Sequence, residues 1–263
     1  MSTALITGAS SGIGAAFAQE LAQRQTNLVL VARSADKLQQ LAQKLQKEFN
    51  IKVEVIVQDL TASTGAQRVF ERVKEKNLTI DLLINNAGMG DYGSFADRPL
   101  DKQVTIIQLN IMASVQLAHL FLQEMRDRGS GAIINVTSIA AFQPMPYISI
   151  YGATKAFLLS FSESLWAENK DYGIKVLALC PGPTESNFFE VAEVPRSMAE
   201  NTTKSSLTPA AEVVKDALKA LDNNEHIVVT GGITNQFIVN LNRFLPRSIV
   251  TQIMKTILGK NQQ

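Results

Sequence analysis

Thr3 to Gly14 reads T-A-L-I-T-G-A-S-S-G-I-G, and this stretch decides the fold. A short apolar run (Ala4, Leu5, Ile6) gives way to Thr7 and Gly8, then to a Ser and Gly rich bend, then to Ala15, Ala16, Phe17 and Ala18, which can start a helix. The order is strand, turn, helix. Glycines at 8, 12 and 14 remove the Cβ atoms that would hold the backbone away from a ligand, and the start of the following helix offers free N–H groups to an anion such as a phosphate. The spacing is G-x-x-x-G-x-G rather than G-x-G-x-x-G, and taken alone it also suits a tight βα turn without a ligand. The rest of the chain has to decide.

Outward from that turn, strands and helices alternate. A helix over about Ile13 to Gln23 leads to the continuous apolar run Asn27 to Ala32, as in a strand buried on both faces, with Arg33 directly after it. Leu38, Leu41, Leu45 and Phe49 share one face of a helix over Asp36 to Phe49. Lys52 to Val57 reads as a third strand ending at Asp59-Leu60, Ala66 to Lys76 as a helix, and Asp81 to Ile84 as a fourth strand running into Asn85-Asn86-Ala87-Gly88. A long helix over Leu100 to Met125 carries Asn110, Ala132 to Val136 is a fifth strand ending at Ser138, and Tyr151 to Asn169 is again helical. The sixth strand, Lys175 to Leu179, stops at Pro181-Gly182-Pro183, and the seventh is His226 to Thr230. Such alternation predicts parallel strands joined by right-handed crossovers: an α/β, Rossmann-type doubly wound sheet of about seven strands, in one domain over residues 1–263.

Two segments stand apart. Residues 185–207 lose periodicity and become rich in Ser, Thr, Asn and Glu, as in a substrate-side lid. Thr208-Pro209 then reads as cap and first position of a helix over Ala210 to Leu221. The tail 235–260 is amphipathic and split by Pro246, with Arg243, Arg247, Lys255 and Lys260 among its apolar residues. Its apolar face is expected to pack on the body or on another subunit, with shallow membrane contact as the alternative.

Composition narrows the function classes. Lys and Arg number 25 against 24 Asp and Glu, so no basic excess points to nucleic acid, and a small or apolar partner is expected. Cys180 is the one cysteine, ending an apolar run, and reads as a buried core thiol. With two histidines far apart, His119 and His226, no metal site is expected. The first strand begins within three residues of Met1, and no uninterrupted run of about 18 apolar residues occurs, so a soluble, cytoplasmic chain is expected.

The polar signatures fall after the strands: Gly8 to Gly14, Arg33, Asp59, Asn85 to Gly88, Ser138, and Pro181-Gly182. In an open parallel sheet those carboxyl ends face one crevice, where ligands bind. Over nearly its whole length the sequence resembles the classical short-chain dehydrogenase/reductase (SDR) family. The resemblance rests on T-G-A-S-S-G-I-G at 7–14, Asp59-Leu60, N-N-A-G at 85–88, Asn110, Ser138, Y-G-A-T-K at 151–155 and P-G at 181–182. Singly these are ordinary: a helix-start tyrosine, a solvated lysine, a turn serine. Their order, with Ser138 thirteen residues before Tyr151, makes the set specific.

Tyr151 and Lys155 are four apart and so lie on one face of a helix. A lysine cation about 4 Å away, at an effective dielectric near 20, would contribute about 4 kcal/mol, which predicts a tyrosine pKa drawn from about 10 toward 7. The resemblance implies Tyr151 as the acid that protonates a carbonyl oxygen during reduction, Ser138 as its hydrogen-bond partner on that oxygen, Lys155 as holder of the nicotinamide ribose, and Asn110 as the anchor of a water relay to Lys155. It further implies that Gly8, Ser10, Ser11, Gly12, Ile13 and Gly14 cradle the pyrophosphate and ribose. Asp59 and Leu60 would meet the adenine, Asn86, Ala87 and Gly88 the adjoining ribose, and Pro181, Gly182 and Thr184 the nicotinamide end. Ser186 stands where the family usually has Thr. After the second strand, Ala32-Arg33 replaces the acidic residue that selects the unphosphorylated cofactor, so NADP(H) is expected. Position 11 is Ser where many NADP-dependent relatives have a second basic residue, leaving the phosphate to Arg33 with Ser10 or Ser34.

Met89, Phe142, Met145, Pro146, Tyr147, Ile148, Phe188 and Phe189 are expected beside the site, with few charges, which suits an apolar ketone or acyl substrate. The expected activity is carbonyl–alcohol interconversion by an NADP(H)-dependent oxidoreductase. A catalytically idle dinucleotide-binding scaffold or redox sensor is the alternative. The helices 100–125 and 151–169 resemble those through which relatives form dimers or tetramers, so a homo-oligomer is expected.

Overall fold

The structure is a computed structural model that describes residues 2–194 and 207–259. Its first strand is β1 (Thr3–Thr7), every residue of which is buried. Ala4 and Ile6 join the apolar core on one face of the sheet and Leu5 the core on the other, as the two-residue strand period requires. β2 (Asn27–Ala32) repeats the division, with Leu28 and Leu30 on one side and Val29 and Val31 on the other.

The remaining strands are β3 (Val53–Val57), β4 (Leu82–Asn85), β5 (Gly131–Val136), β6 (Ile174–Cys180) and β7 (Ile227–Val229). They form one seven-stranded sheet, ordered β3-β2-β1-β4-β5-β6-β7, parallel at every pairing. One face is covered by α1 (Gly12–Gln23), α2 (Ala35–Phe49) and α8 (Ala210–Asp222), which contribute Phe17, Leu21, Leu45, Val213 and Leu218. The other is covered by α3 (Gly65–Glu75), α5 (Ala113–Asp127) and α6 (Ser149–Asn169), through Val69, Leu117, Phe121 and Leu165. This is the expected Rossmann-type doubly wound sheet. Strand order reverses between β1 and β4, so the turns after these two strands flank the switch point where such sheets hold ligands.

Some details differ from the sequence reading. The helix expected over 100–125 is α4 (Leu100–Ile107) and α5 joined by a π-helical turn, Gln108–Met112. That wider turn carries Asn110, whose side chain is wholly buried and bonded to the Met89 backbone. Although the run Leu100–Asp127 is long and apolar enough to cross a bilayer, Leu117, Phe121 and Met125 are buried against the sheet, as in a core helix.

Within the expected lid, Phe188–Val191 forms a short helix, α7, while 195–206 lies outside the described residues. The ends of the excursion meet, since Thr184 bridges Thr208 in parallel and Thr208 N–H donates to Pro183 O at 3.0 Å. With its backbone so committed, Thr208 does not cap α8; Pro209 takes the cap position instead. The tail is α9 (Ile233–Phe244) and α10 (Arg247–Gly259), broken at Pro246 as expected. Val239, Val250 and Met254 turn one side of it onto the body.

Candidate active site

A cleft of about 500 Å³ runs along the carboxyl ends of the strands. It is lined by Gly8, Ser10, Ser11, Gly12, Ile13, Arg33, Asp59, Leu60, Asn86, Ala87, Gly88, Ser138, Tyr151, Lys155, Pro181, Gly182 and Thr184, all of which the sequence singled out. Gly14 and Asn110 do not line it. Gly14 lies inside the first turn of α1, where a Cβ would stand 2.4 Å from Gly8 O, and Asn110 sits behind Met89. Of the residues expected to shape a substrate pocket, Met89, Met145, Ile148, Phe188 and Phe189 line the cleft. Phe142 instead packs beside Ala141, Leu159 and Cys180, and the Tyr147 ring lies tilted beside Tyr92.

The glycine turn fits a pyrophosphate. Gly8 has φ +66° and Gly12 φ +54°, which side chains disfavour. A Cβ on Gly12 would lie 3.0 Å from Ser186 Cβ across the cleft. Ser11 at the start of α1 makes no side-chain capping bond, so the first-turn N–H groups are left to the cleft. At the end of β2, Arg33 is exposed and makes no ion pair or side-chain hydrogen bond among the described residues. Asp59 beside it has a carboxyl held below its ordinary value, chiefly by the Thr61 backbone N–H at 2.9 Å and also by Arg33. Asn86 spends its amide on structure, donating to Thr7 O at 2.8 Å and Gly8 O at 3.3 Å. Gly182 likewise makes room for a side chain, since a Cβ there would collide with Asn235.

At the other end, Ser138, Tyr151 and Lys155 converge from β5 and α6. Lys155 is buried, donates to Val136 O at 2.8 Å, and lies 5.7 Å from the centre of the Tyr151 ring. Burial pushes the Tyr151 hydroxyl up to about 12, against the pull of its hydrogen bond with Ser138. Burial also pushes Lys155 down to about 8. The expected drop of Tyr151 toward 7 is therefore corrected: desolvation dominates both shifts, and the ammonium is turned to a backbone carbonyl. A Cβ on Gly88 would meet Asn110 Oδ1 at 3.3 Å and Lys155 Nζ at 3.4 Å, so both reach the same point behind the cleft. Asn110 also donates to Thr154 Oγ1 at 3.0 Å, and Thr154 in turn to Tyr151 O at 2.8 Å.

The family model for short chain dehydrogenase matches residues 2–197. The chain belongs to the short-chain dehydrogenase/reductase family. The very-long-chain 3-oxoacyl-CoA reductase of Rattus norvegicus is 32% identical over 266 residues, covering 98% of this chain and 79% of the relative. The 17-beta-hydroxysteroid dehydrogenase type 3 of the same organism is 34% identical over 82% of this chain and 68% of its own length. Among solved structures, a short-chain dehydrogenase from Sphingobium yanoikuyae in complex with NADPH superposes with a TM-score of 0.82 at 32% identity, covering 100% of this chain and 97% of that one. A bulky-bulky ketone specific alcohol dehydrogenase from Comamonas testosteroni gives 0.78 at 32%, covering 100% and 96%.

Further contacts, some between motif residues and some with residues outside the motifs, shape this site. Thr7 Oγ1 accepts N–H from both Asn86 and Ala87, at 2.9 and 3.0 Å, joining the turns after β1 and β4. The Phe188 ring lies 4.9 Å from the Tyr151 ring, tilted by 49°, and packs over Gly90. Its helix is fastened by charge. The wholly buried carboxylate of Asp91 accepts from Arg98 Nε at 2.7 Å and Gln103 Nε2 at 2.6 Å and pairs with Lys102 at 2.7 Å; Glu193, just after α7, joins the same Arg98 and Lys102. Burial alone would raise the Asp91 carboxyl, but the bonds from Arg98 and Lys102 prevail and hold it below the ordinary carboxylate value. Leu258 of α10 closes on the cleft, and its carbonyl accepts from Tyr92 Oη. No local pattern announces these contacts, and those made by Thr7, Phe188, Glu193 and Leu258 join segments far apart in sequence.

Asp91→Ala removes the buried acceptor shared by Arg98, Lys102 and Gln103 and leaves the two cations to Glu193 alone. It is expected to cost about 1–3 kcal/mol of stability, read as a lowered urea midpoint.

Proposed function

We propose that this oxidoreductase is NADP(H)-dependent, interconverts a carbonyl and an alcohol, and reduces an apolar ketone or acyl substrate with Tyr151 as general acid. The observation that carries the reading is the convergence of Ser138, Tyr151 and Lys155 on one cleft whose adenosine-side rim is Arg33. Hydride is what a bound nicotinamide dinucleotide supplies. The chain's own groups supply the proton and the shape. Tyr151, held at about 12, keeps its proton at neutral pH and can donate it to the substrate oxygen, while the Ser138 hydroxyl donates a second hydrogen bond that steadies that oxygen. Lys155, held at about 8, can return a proton to the tyrosine, and Asn110 beside it positions the relay. Pro181, Gly182, Thr184 and Ser186 shape the wall opposite Gly12.

For the cofactor, the support is the exposed guanidinium of Arg33 together with the similar structure solved with NADPH. For the substrate, it is the apolar lining of Met89, Met145, Ile148, Phe188, Phe189 and Leu258, and the names of relatives that reduce 3-oxoacyl-CoA or accept bulky ketones. Exposed Leu100, Val104, Ile107, Met112 and Phe157 on α4 to α6 support a homodimer or homotetramer through these helices.

Tyr151→Phe is expected to lower the kcat of carbonyl-dependent NADPH oxidation by about 10²- to 10⁴-fold with NADPH binding retained. An unchanged kcat would remove Tyr151 as the acid, and a wild-type chain that binds NADPH yet turns over no ketone in a panel would favour the idle scaffold. The reduction rate is expected to fall as pH rises through about 8, because Lys155 loses its proton there; a flat profile across that range contradicts the relay. Arg33→Ala should weaken NADPH binding by about tenfold or more while sparing NADH, measured by cofactor fluorescence titration.

A further inference from the structure

The tail helices place one apolar side on the body and leave a second apolar side outward. On α9, Ile233, Phe237 and Phe244 fall within an arc of about 40° and are 89%, 66% and 78% exposed, opposite the buried Asn235 and Val239. On α10, Ile249, Ile253 and Ile257 recur every fourth residue as an exposed stripe, while Val250 and Met254 turn inward. Among the described residues these six side chains are left exposed, and large apolar residues in such density mark an interaction surface.

We propose that this face docks on a bilayer surface containing anionic lipids. Charge chooses the occupant. Although the whole chain is balanced, residues 226–263 contain Arg243, Arg247, Lys255 and Lys260 and no Asp or Glu. A second copy seated on the same face about a two-fold axis would bring the exposed Arg243, Arg247 and Lys255 near those of its partner, whereas an anionic leaflet meets them with opposite charge. Helices of 12 and 13 residues are too short to cross a hydrocarbon core, which needs about 20, so they lie in the interface with the apolar stripes inserted.

The position of this face gives it a use. Leu258, at the end of α10, lines the catalytic cleft, and Gly259 packs against Tyr147, so the helix that meets the bilayer outward also walls the apolar end of the cleft inward. An apolar ketone or acyl chain dissolved in the membrane would then reach the site without crossing water. This last step rests on the proposed carbonyl reductase activity; the docking itself does not.

The test is flotation of the full-length chain with vesicles of phosphatidylcholine alone or with about one-third phosphatidylglycerol. The wild-type chain should float with the anionic vesicles, less at high salt, and stay down with phosphatidylcholine alone. Replacing Phe237, Phe244 and Ile253 together by Ser should cut vesicle binding by about tenfold or more with far-ultraviolet circular dichroism and NADPH binding unchanged. If that variant is misfolded, the triple change of Arg243, Arg247 and Lys255 to Gln, on the exposed surface, must show the same loss on anionic vesicles. Failure of the wild-type chain to float, equal flotation of folded variants, or a wild-type dimer that the Ser variant turns into monomer would overturn the proposal. A chain that floats but reduces no ketone keeps the docking surface and removes the activity, so the two failures are told apart.

Discussion

The fastening of the turn after β1 to the loop after β4 is the constraint on which the site depends. The Asn86 amide donates to the carbonyls of Thr7 and Gly8, and Thr7 Oγ1 accepts the Asn86 and Ala87 backbone N–H groups. Such closeness at a sheet's switch point leaves no room for Cβ atoms: one on Gly14 would meet Gly8 O, and one on Gly8 would meet the Asn86 amide at 2.9 Å. The glycines are thus needed first by the protein's own packing, and the cradle for a phosphate is what that packing leaves open.

At the other end of the cleft, burial governs the chemistry. A hydroxyl and an ammonium in a poorly solvated corner both shift toward their neutral forms, Tyr151 upward and Lys155 downward. The outcome suits a proton donor better than a base, because the tyrosine stays protonated at neutral pH. Support for the corner comes from behind: the π turn at Gln108–Met112 lets Asn110 hold the Met89 backbone, Thr154 and the space beside Gly88 at once. In front, Phe188 covers the tyrosine ring, held through α7 by the charged group around Asp91.

Much of this was legible in the chain. Buried parallel strands are apolar throughout, so β1, β2 and β6 stood out with their ends within a residue or two, and the strand-end motifs followed from the topology. The motif residues that line the cleft needed no tertiary knowledge. Asp91 and Glu193, by contrast, are separated by 102 positions and meet only because the folded excursion returns to the loop after β4. Leu258 reaches the cleft from the far end of the chain for a similar reason. The π turn escaped because an extra residue in a helical turn leaves apolar periodicity nearly unchanged, and its cause, a buried amide seeking partners, lies outside the helix.

The sequence by itself determined the doubly wound sheet, the glycine cradle and the identity of the groups that face it, since these depend on local periodicity, on glycine's missing Cβ and on an ordered set of motifs. Only the tertiary structure decided the protonation balance of Tyr151 and Lys155, the cover that Phe188 provides, and which side of the tail is outward. Those properties depend on how many atoms from distant segments crowd one point, and desolvation and exposure have no value until the chain has brought those atoms together.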